Sequence, residues 1–191
     1  MASPMQLIRN LADYPVDCPS VVTVGSFDGV HRGHRVLIDR LTSIAHNEGL
    51  QRVVVTFDPH PRVVLGRSEG LVELTDIEEK CHWLTHYGVD RVVVLSFNEQ
   101  LASLAGEEFA RTVLCQQLQA KVLVAGFNHR FGRDRIAATS LALPELRVER
   151  VERCEVEGLA VSSTLIRRAI ADGDFALAEQ LLGHPIKLTT L

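Results

Sequence analysis

The sequence predicts an α/β domain: a mostly parallel sheet flanked by helices. Three observations lead there. Valine-rich runs recur at 21–24, 52–57, 91–95 and 122–125. Segments with apolar residues at helical spacing separate them. The runs are apolar throughout rather than alternating, as expected of strands buried on both faces.

Each element follows from local signals. The stretch to Pro19 is short and poorly patterned. Val21–Val24 reads as a strand, and Val36, Leu37, Leu41, Ile44 and Ala45 then recur at helical spacing until Gly49 ends the helix. Arg52–Phe57 is a second strand, and Pro59 and Pro61 force a loop after it. Thr75-Asp76-Ile77-Glu78 matches a capping box, with Thr75 as cap and Glu78 reaching back. That helix should end near Gly88. Arg91–Leu95 is a third strand. A helix through Phe109, Val113 and Leu114 precedes a fourth strand at Val122–Ala125. A fifth covers Val148–Val156. Two short helices close the chain, with Asp172-Gly173-Asp174 between them.

Composition bounds the function. At 191 residues, one domain with a real core is expected. A net charge of −4 with no long basic run argues against a nucleic-acid partner. Arg130, Arg133 and Arg135 are better read as a local anion site. No apolar stretch approaches membrane-span length, and MASPMQLIRN lacks a signal-peptide pattern. Cys18, Cys81, Cys115 and Cys154 are far apart with no CxxC pair, which suggests reduced thiols and a cytoplasmic location. His82 and His86 read as surface histidines without an HExxH context. Glu78-Glu79 and the run 145–155 read as solvated charge.

The residues with chemistry follow the strands, where ligands bind in such sheets. Gly25-Ser26-Phe27-Asp28-Gly29-Val30-His31-Arg32-Gly33-His34 brings three glycines and two histidines to the start of a helix, where a phosphate would sit. It is neither a GxGxxG fingerprint nor a Walker loop. His31 and His34 can each donate to a phosphoryl oxygen; no nearby partners at zinc spacing make them metal ligands. Asp28 is either a turn residue or a group orienting a histidine, with the turn favoured. Asp58-Pro59-His60-Pro61 is a stiff strand exit. Gly126-Phe127-Asn128-His129-Arg130-Phe131-Gly132 combines rings that can pack on a flat ligand with an amide that donates and accepts. Ser162-Ser163-Thr164 open a helix as caps, with Arg167 one turn along.

GSFDGVHRGH resembles the HxGH signature of the nucleotidyltransferase superfamily. In its longer form it resembles the FMN adenylyltransferase module of bacterial FAD synthetases. FDPHP, GFNHRFG and VSSTLIR are similar to that family's FxPHP, G-x-(D/N)-F-x-F-G and ISSTxIR strings, and the likeness runs from about Val21 to Pro185. His129 stands where the family usually has phenylalanine, and the stretch 132–161 is shorter than usual by about a helix.

The resemblance implies a Rossmann-like nucleotidyltransferase fold and transfer of AMP from ATP to FMN, giving FAD and pyrophosphate, with Mg²⁺ bridging phosphates. It implies catalytic roles for His31 and His34. ATP would contact Gly25, Phe27, Asp28, Gly33, Ser162, Ser163, Thr164 and Arg167. FMN would contact Pro59, His60, Pro61, Asn128 and Phe131. No protein metal ligand is implied. Residues 1–191 would form one adenylyltransferase domain without the family's usual riboflavin kinase barrel, as a standalone enzyme or a piece of a longer one. The rival readings are a nucleotidyltransferase with another acceptor and a non-catalytic flavin- or nucleotide-binding homologue.

Overall fold

Every valine-rich run becomes a strand of one sheet, since β-branched side chains suit extended backbone. The computed structural model describes residues 4–67 and 71–186. The chain's first residues, read above for a leader, and Leu191, read as the domain's end, lie outside the described residues.

Along the chain run β1 (Gln6–Ile8), β2 (Ser20–Val24), α1 (Arg32–Glu48), β3 (Gln51–Asp58), α2 (Pro61–Val64), α3 (Ile77–His86), β4 (Arg91–Ser96), α4 (Glu99–Ser103) and α5 (Gly106–Phe109). A π-helical stretch, Ala110–Gln117, continues α5. There follow β5 (Ala120–Gly126), β6 (Arg130–Phe131), β7 (Ile136–Ala137), β8 (Arg147–Val151), β9 (Glu155–Val156), β10 (Leu159–Ala160), α6 (Ser163–Ala171) and α7 (Phe175–Leu182).

Six strands form one parallel sheet in the order β1-β4-β3-β2-β5-β8. Its faces are sorted by residue parity, because successive side chains point to opposite sides of a strand. Val22, Val24, Val53 and Val55 pack with Phe109, Val113 and Leu114 from α5 and its continuation. Val54, Val92 and Val94 face the other way, onto Ile38 of α1 and Leu84 of α3. Val21, Val122 and Val124 join Leu41 and Ile44 of α1 on that same side. Helices on both faces explain why the strands read as continuously apolar.

The order also fixes where a site can form. From β2 the chain first adds β3 and β4 on one side. It then returns to place β5 on the other side of β2. Beyond the carboxyl ends of β2 and β5 this reversal leaves a crevice, and three of the four motif loops leave β2, β3 and β5 there.

Several expectations need correction. The N-cap of α3 is Asp76, which accepts from the Glu79 amide at 2.7 Å. Thr75 instead accepts from the Gly29 amide at 3.0 Å, so a tertiary bond takes the hydroxyl assigned to the cap. Glu79 is buried with Lys80 at the foot of α3 rather than solvated. The strand expected over Val148–Val156 ends at Val151, and Glu155–Val156 pairs with Leu159–Ala160 in a separate hairpin. The helix through Phe109 and Val113 exists but widens, with Leu118 N–H bonding the Val113 carbonyl at 3.1 Å. The unpatterned start supplies β1, too short to show a period. Arg91 ties it down, donating to Gln6, the Pro15 carbonyl and both Asp17 oxygens. All four cysteines are free thiols, and His82 and His86 are exposed.

Candidate active site

The loop after β2 turns sharply to start α1. Phe27, Gly29 and Val30 all have positive φ, of 48°, 80° and 35°. A β-branched residue there is strained, and such strain persists where the surroundings over-determine the backbone. Gly29 is required sterically as well, because a Cβ would lie 2.9 Å from Leu74 Cδ1. The ring of Phe27 drops into the core beneath the loop, fully buried, and so supports the site from below.

The turn makes His31 the N-cap of α1, its Nδ1 accepting from the His34 amide at 3.3 Å. With Nδ1 used as acceptor, the neutral ring carries its proton on Nε2. Burial lowers the His31 pKa to about 4, and the charges of His184 and Arg167 push the same way. His34 stacks on it with centroids 3.7 Å apart, and Phe27 packs against His34 at 4.8 Å. Burial, then His31 and Lys80, hold the His34 pKa well below its ordinary value. Both imidazoles are therefore neutral hydrogen-bonding groups at neutral pH. His34 Nδ1 is buried with no partner among the described residues.

Asp28 does not orient either histidine. It is fully buried, and its carboxylate accepts from the Leu74 amide at 2.7 Å and the Thr75 amide at 3.3 Å and pairs with Arg167. Arg167 also donates to the Val72 carbonyl at 2.6 Å, and Ser163 Oγ donates to the Asp28 carbonyl at 3.0 Å. One buried carboxylate thus fastens the histidine loop to α6 and to the segment before α3. Ser162 caps α6, accepting from the Leu165 amide at 3.2 Å.

Two clefts meet here. The first, about 450 Å³, is polar: Ser26, His31, Asn128, Ser162–Thr164 and Arg167 stand on its wall, with His60. Gly33 lies at its edge, where a Cβ would stand 3.1 Å from the His31 ring and 3.7 Å from the Val161 carbonyl. The second, about 570 Å³, is lined by Phe57, Phe97, Phe109, His129 and Phe131, with Gly25 and Pro61. Ser26 and His60 belong to both. His60 is held as the cap of α2, accepting from the Arg62 amide at 3.1 Å. Pro59, joined to Asp58 by a cis peptide, sets the bend but lines neither cleft. Asn128 and Phe131, two neighbours in one motif, fall in different clefts, and His34 stands behind His31 rather than on the wall.

Sequence reasoning missed Ser26, Arg62 and Arg153 in the first cleft, and Phe97 and Phe109 in the second. Arg62 and Ser26 adjoin quoted motifs. Arg153, set 4.7 Å over the Phe127 ring, comes from beyond β8 and carries no sequence signal.

His129 packs against Phe131 with centroids 4.3 Å apart, and burial lowers its pKa to about 4. Its depressed folded value has a testable consequence. Above about pH 6.5 both folded and unfolded chains carry it neutral. As pH falls from there toward 4, the unfolded chain takes up a proton that the folded chain resists, so stability falls. His129→Phe is expected to shrink the stability lost between about pH 7 and about pH 5, read from urea midpoints. An equal loss in both proteins would mean that His129 is not buried neutral.

The chain is similar to known proteins over most of its length. Residues 14–165 match the family model described as FAD synthetase. The chain is 36% identical over 195 residues to the bifunctional riboflavin kinase/FMN adenylyltransferase of Escherichia coli (strain K12), covering 97% of this chain and 61% of that one. It is 37% identical over 190 residues to the Pseudomonas fluorescens protein of the same name, covering 96% and 61%. It thus spans about three fifths of the length of these relatives. A Streptococcus pneumoniae structure described as a macrolide-efflux protein superposes with a TM-score of 0.87 at 34% identity, covering 96% of this chain and 61% of that one. Pantoate-beta-alanine ligase from Francisella tularensis shares the fold alone, with a TM-score of 0.58 at 13% identity over 94% of this chain and 78% of that one. A family match that runs from before β2 into the first turn of α6, and so takes in all four loops of the two clefts, makes this chain a member of the FAD synthetase family.

Proposed function

We propose that this chain, as one adenylyltransferase domain, transfers AMP from ATP to the phosphate of FMN, forming FAD and pyrophosphate. One observation carries the reading. A polar cleft with a histidine and a helix N-terminus opens at Ser26 and His60 into a cleft walled by aromatic rings. That is the shape needed to bring the triphosphate of one substrate against the phosphate of another whose flat ring is stacked. The family match and the curated relatives support it.

In this mechanism a phosphate oxygen of FMN attacks the α-phosphorus of ATP in line. The bond from that phosphorus to the bridging oxygen breaks, and pyrophosphate leaves. The FMN phosphate, with a second pKa of about 6, is already largely ionised at neutral pH, so no general base is needed. His31, neutral and with its Nε2 proton free, donates to a phosphoryl oxygen as charge builds there. His34, stacked behind it, fixes the ring. Ser162, Thr164 and the free amides at the start of α6, that of Ser163 among them, receive the phosphates. Arg167 is oriented for the same task by Asp28. Phe131 and the rings beside it stack the flavin, and Asn128 reaches its phosphate side from the neighbouring cleft.

Magnesium would arrive on the ATP phosphates and keep several waters. The site's own groups fit that division. Asp28 is committed to Arg167 and two amides. Among the described residues no group of three or more His, Cys, Asp or Glu could cage an ion. No helix of the described residues is long and apolar enough to cross a membrane. ATP as substrate and four free thiols favour the cytoplasm as the place of reaction.

The test is to incubate the chain with ATP, magnesium and FMN and resolve the flavins by chromatography. FAD is the expected product. A folded chain that binds flavin but makes no FAD under varied metals is a binding protein instead. Adenylation of another acceptor, without FAD, would point to a different nucleotidyltransferase.

A further inference from the structure

Three arginines stand on one short hairpin at the aromatic cleft. Arg130 begins β6, and Arg133 and Arg135 lie in the turn between β6 and β7; all three line the cleft, with Arg67 from the loop after α2. Among the described residues none of the four forms an ion pair. Of the other arginines, Arg40, Arg52, Arg91, Arg147 and Arg167 are among those with carboxylate partners. In a chain of net charge −4, four guanidiniums against the single carboxylate of the hairpin turn make this patch net positive.

The hairpin that carries it is held stiffly. The Arg133 amide donates to the Leu104 carbonyl at 2.9 Å, and Asp134 accepts from the Gly106 amide at 3.0 Å. Gly132 packs so closely that a Cβ would lie 2.2 Å from the Gly106 nitrogen. Asp134, the one carboxylate in the turn, is thereby tied to the backbone at the start of α5 rather than to a neighbouring guanidinium. Arg130 donates to the Arg135 carbonyl at 3.0 Å, and Arg135 has a φ of 53°, rare for a residue with a side chain. A turn whose backbone is braced on three sides sets exposed arginines along the cleft.

We propose that Arg130, Arg133 and Arg135, with Arg67, form a cationic collar that captures phosphorylated flavin and favours FMN over riboflavin at the encounter. The inference rests on the FMN reading above. A cleft lined by one sign of charge concentrates an oppositely charged ligand and raises its association rate by about 10–10³. Riboflavin, with the same ring and no phosphate, gains nothing from the collar. ATP carries the same phosphate chemistry but is assigned to the neighbouring cleft, so the test separates the two.

The experiment follows flavin fluorescence in stopped flow with the full chain and the triple variant Arg130→Gln, Arg133→Gln, Arg135→Gln. The wild-type FMN association rate should fall steeply with ionic strength. The variant should start about 10-fold slower at low salt and lose most of that slope. Riboflavin association, FMN dissociation and ATP affinity should hold. An equal loss for riboflavin, a loss confined to ATP, or an unchanged salt slope overturns the collar. If the triple variant fails to fold, Arg133→Gln alone must slow FMN about 2-fold or more, since one of several steering charges is gone; no slowing overturns it. A wild-type chain that takes up no FMN overturns both readings. A wild type that makes FAD beside a variant with unaltered FMN kinetics overturns the collar alone.

Discussion

His31→Ser is expected to lower turnover by roughly 10²–10³ while leaving the fold intact, the scale seen when one preorganised donor is removed. The serine separates two jobs that histidine performs together. His31 caps α1 through Nδ1 and lines the polar cleft with the rest of its ring. Serine is a good N-cap, so the first job survives at little cost. Its hydroxyl is too short to reach a phosphoryl oxygen at the position of Nε2, so the second is lost. Turnover should fall with the affinity for ATP changed far less, because the interaction strengthens as charge develops in the transition state. Urea unfolding of the variant supplies the control. A stable variant with near-normal turnover would reduce His31 to a helix cap.

Asp28→Ala is expected to destabilise the fold by about 3–5 kcal/mol, the cost of breaking a buried ion pair from one side. The Asp28 side chain is 1% exposed and that of Arg167 17%, so water replaces the lost partner poorly. The amides of Leu74 and Thr75 lose their acceptor in the same step. Combining Asp28→Ala with Arg167→Met should recover part of the loss, because the stranded guanidinium is then gone. Denaturant unfolding of the two single variants and the double variant measures the coupling. A single-variant cost below about 1 kcal/mol would mean that the pair behaves as an exposed one.

The carboxylate's setting shows where a sequence stops being informative. In FDG, an aspartate before glycine carries every local mark of a turn, and it does sit in one. Its work, however, is done on residues 46 and 139 positions away, Leu74 and Arg167. Thr75 repeats the lesson: a capping-box string is a local signal, and a bond from Gly29, distant in sequence, takes its hydroxyl. Glu79 reads as solvated charge because a charge pair on a helix is solvated by default, and only packing reveals that this turn of α3 faces inward.

By itself the sequence determined the parallel α/β sheet, its four central strands and the loops at their ends. These depend on short-range facts: valine stiffness, apolar continuity, and the helix and loop breaks set by glycine and proline. It also determined the family, since the histidine, proline, aromatic and serine–threonine strings are contiguous. Tertiary structure alone decided how those strings are shared between sites. It put Asn128 in the polar cleft and Phe131 in the aromatic one, joined the clefts at Ser26 and His60, and set His34 behind His31. It added β1 to the sheet edge and Arg153 to the polar cleft, neither of which has a local signature. The physical reason is the same throughout. Propensity and periodicity act within a few residues, whereas burial, ion pairing and cleft geometry are decided between segments that meet only when the sheet is assembled.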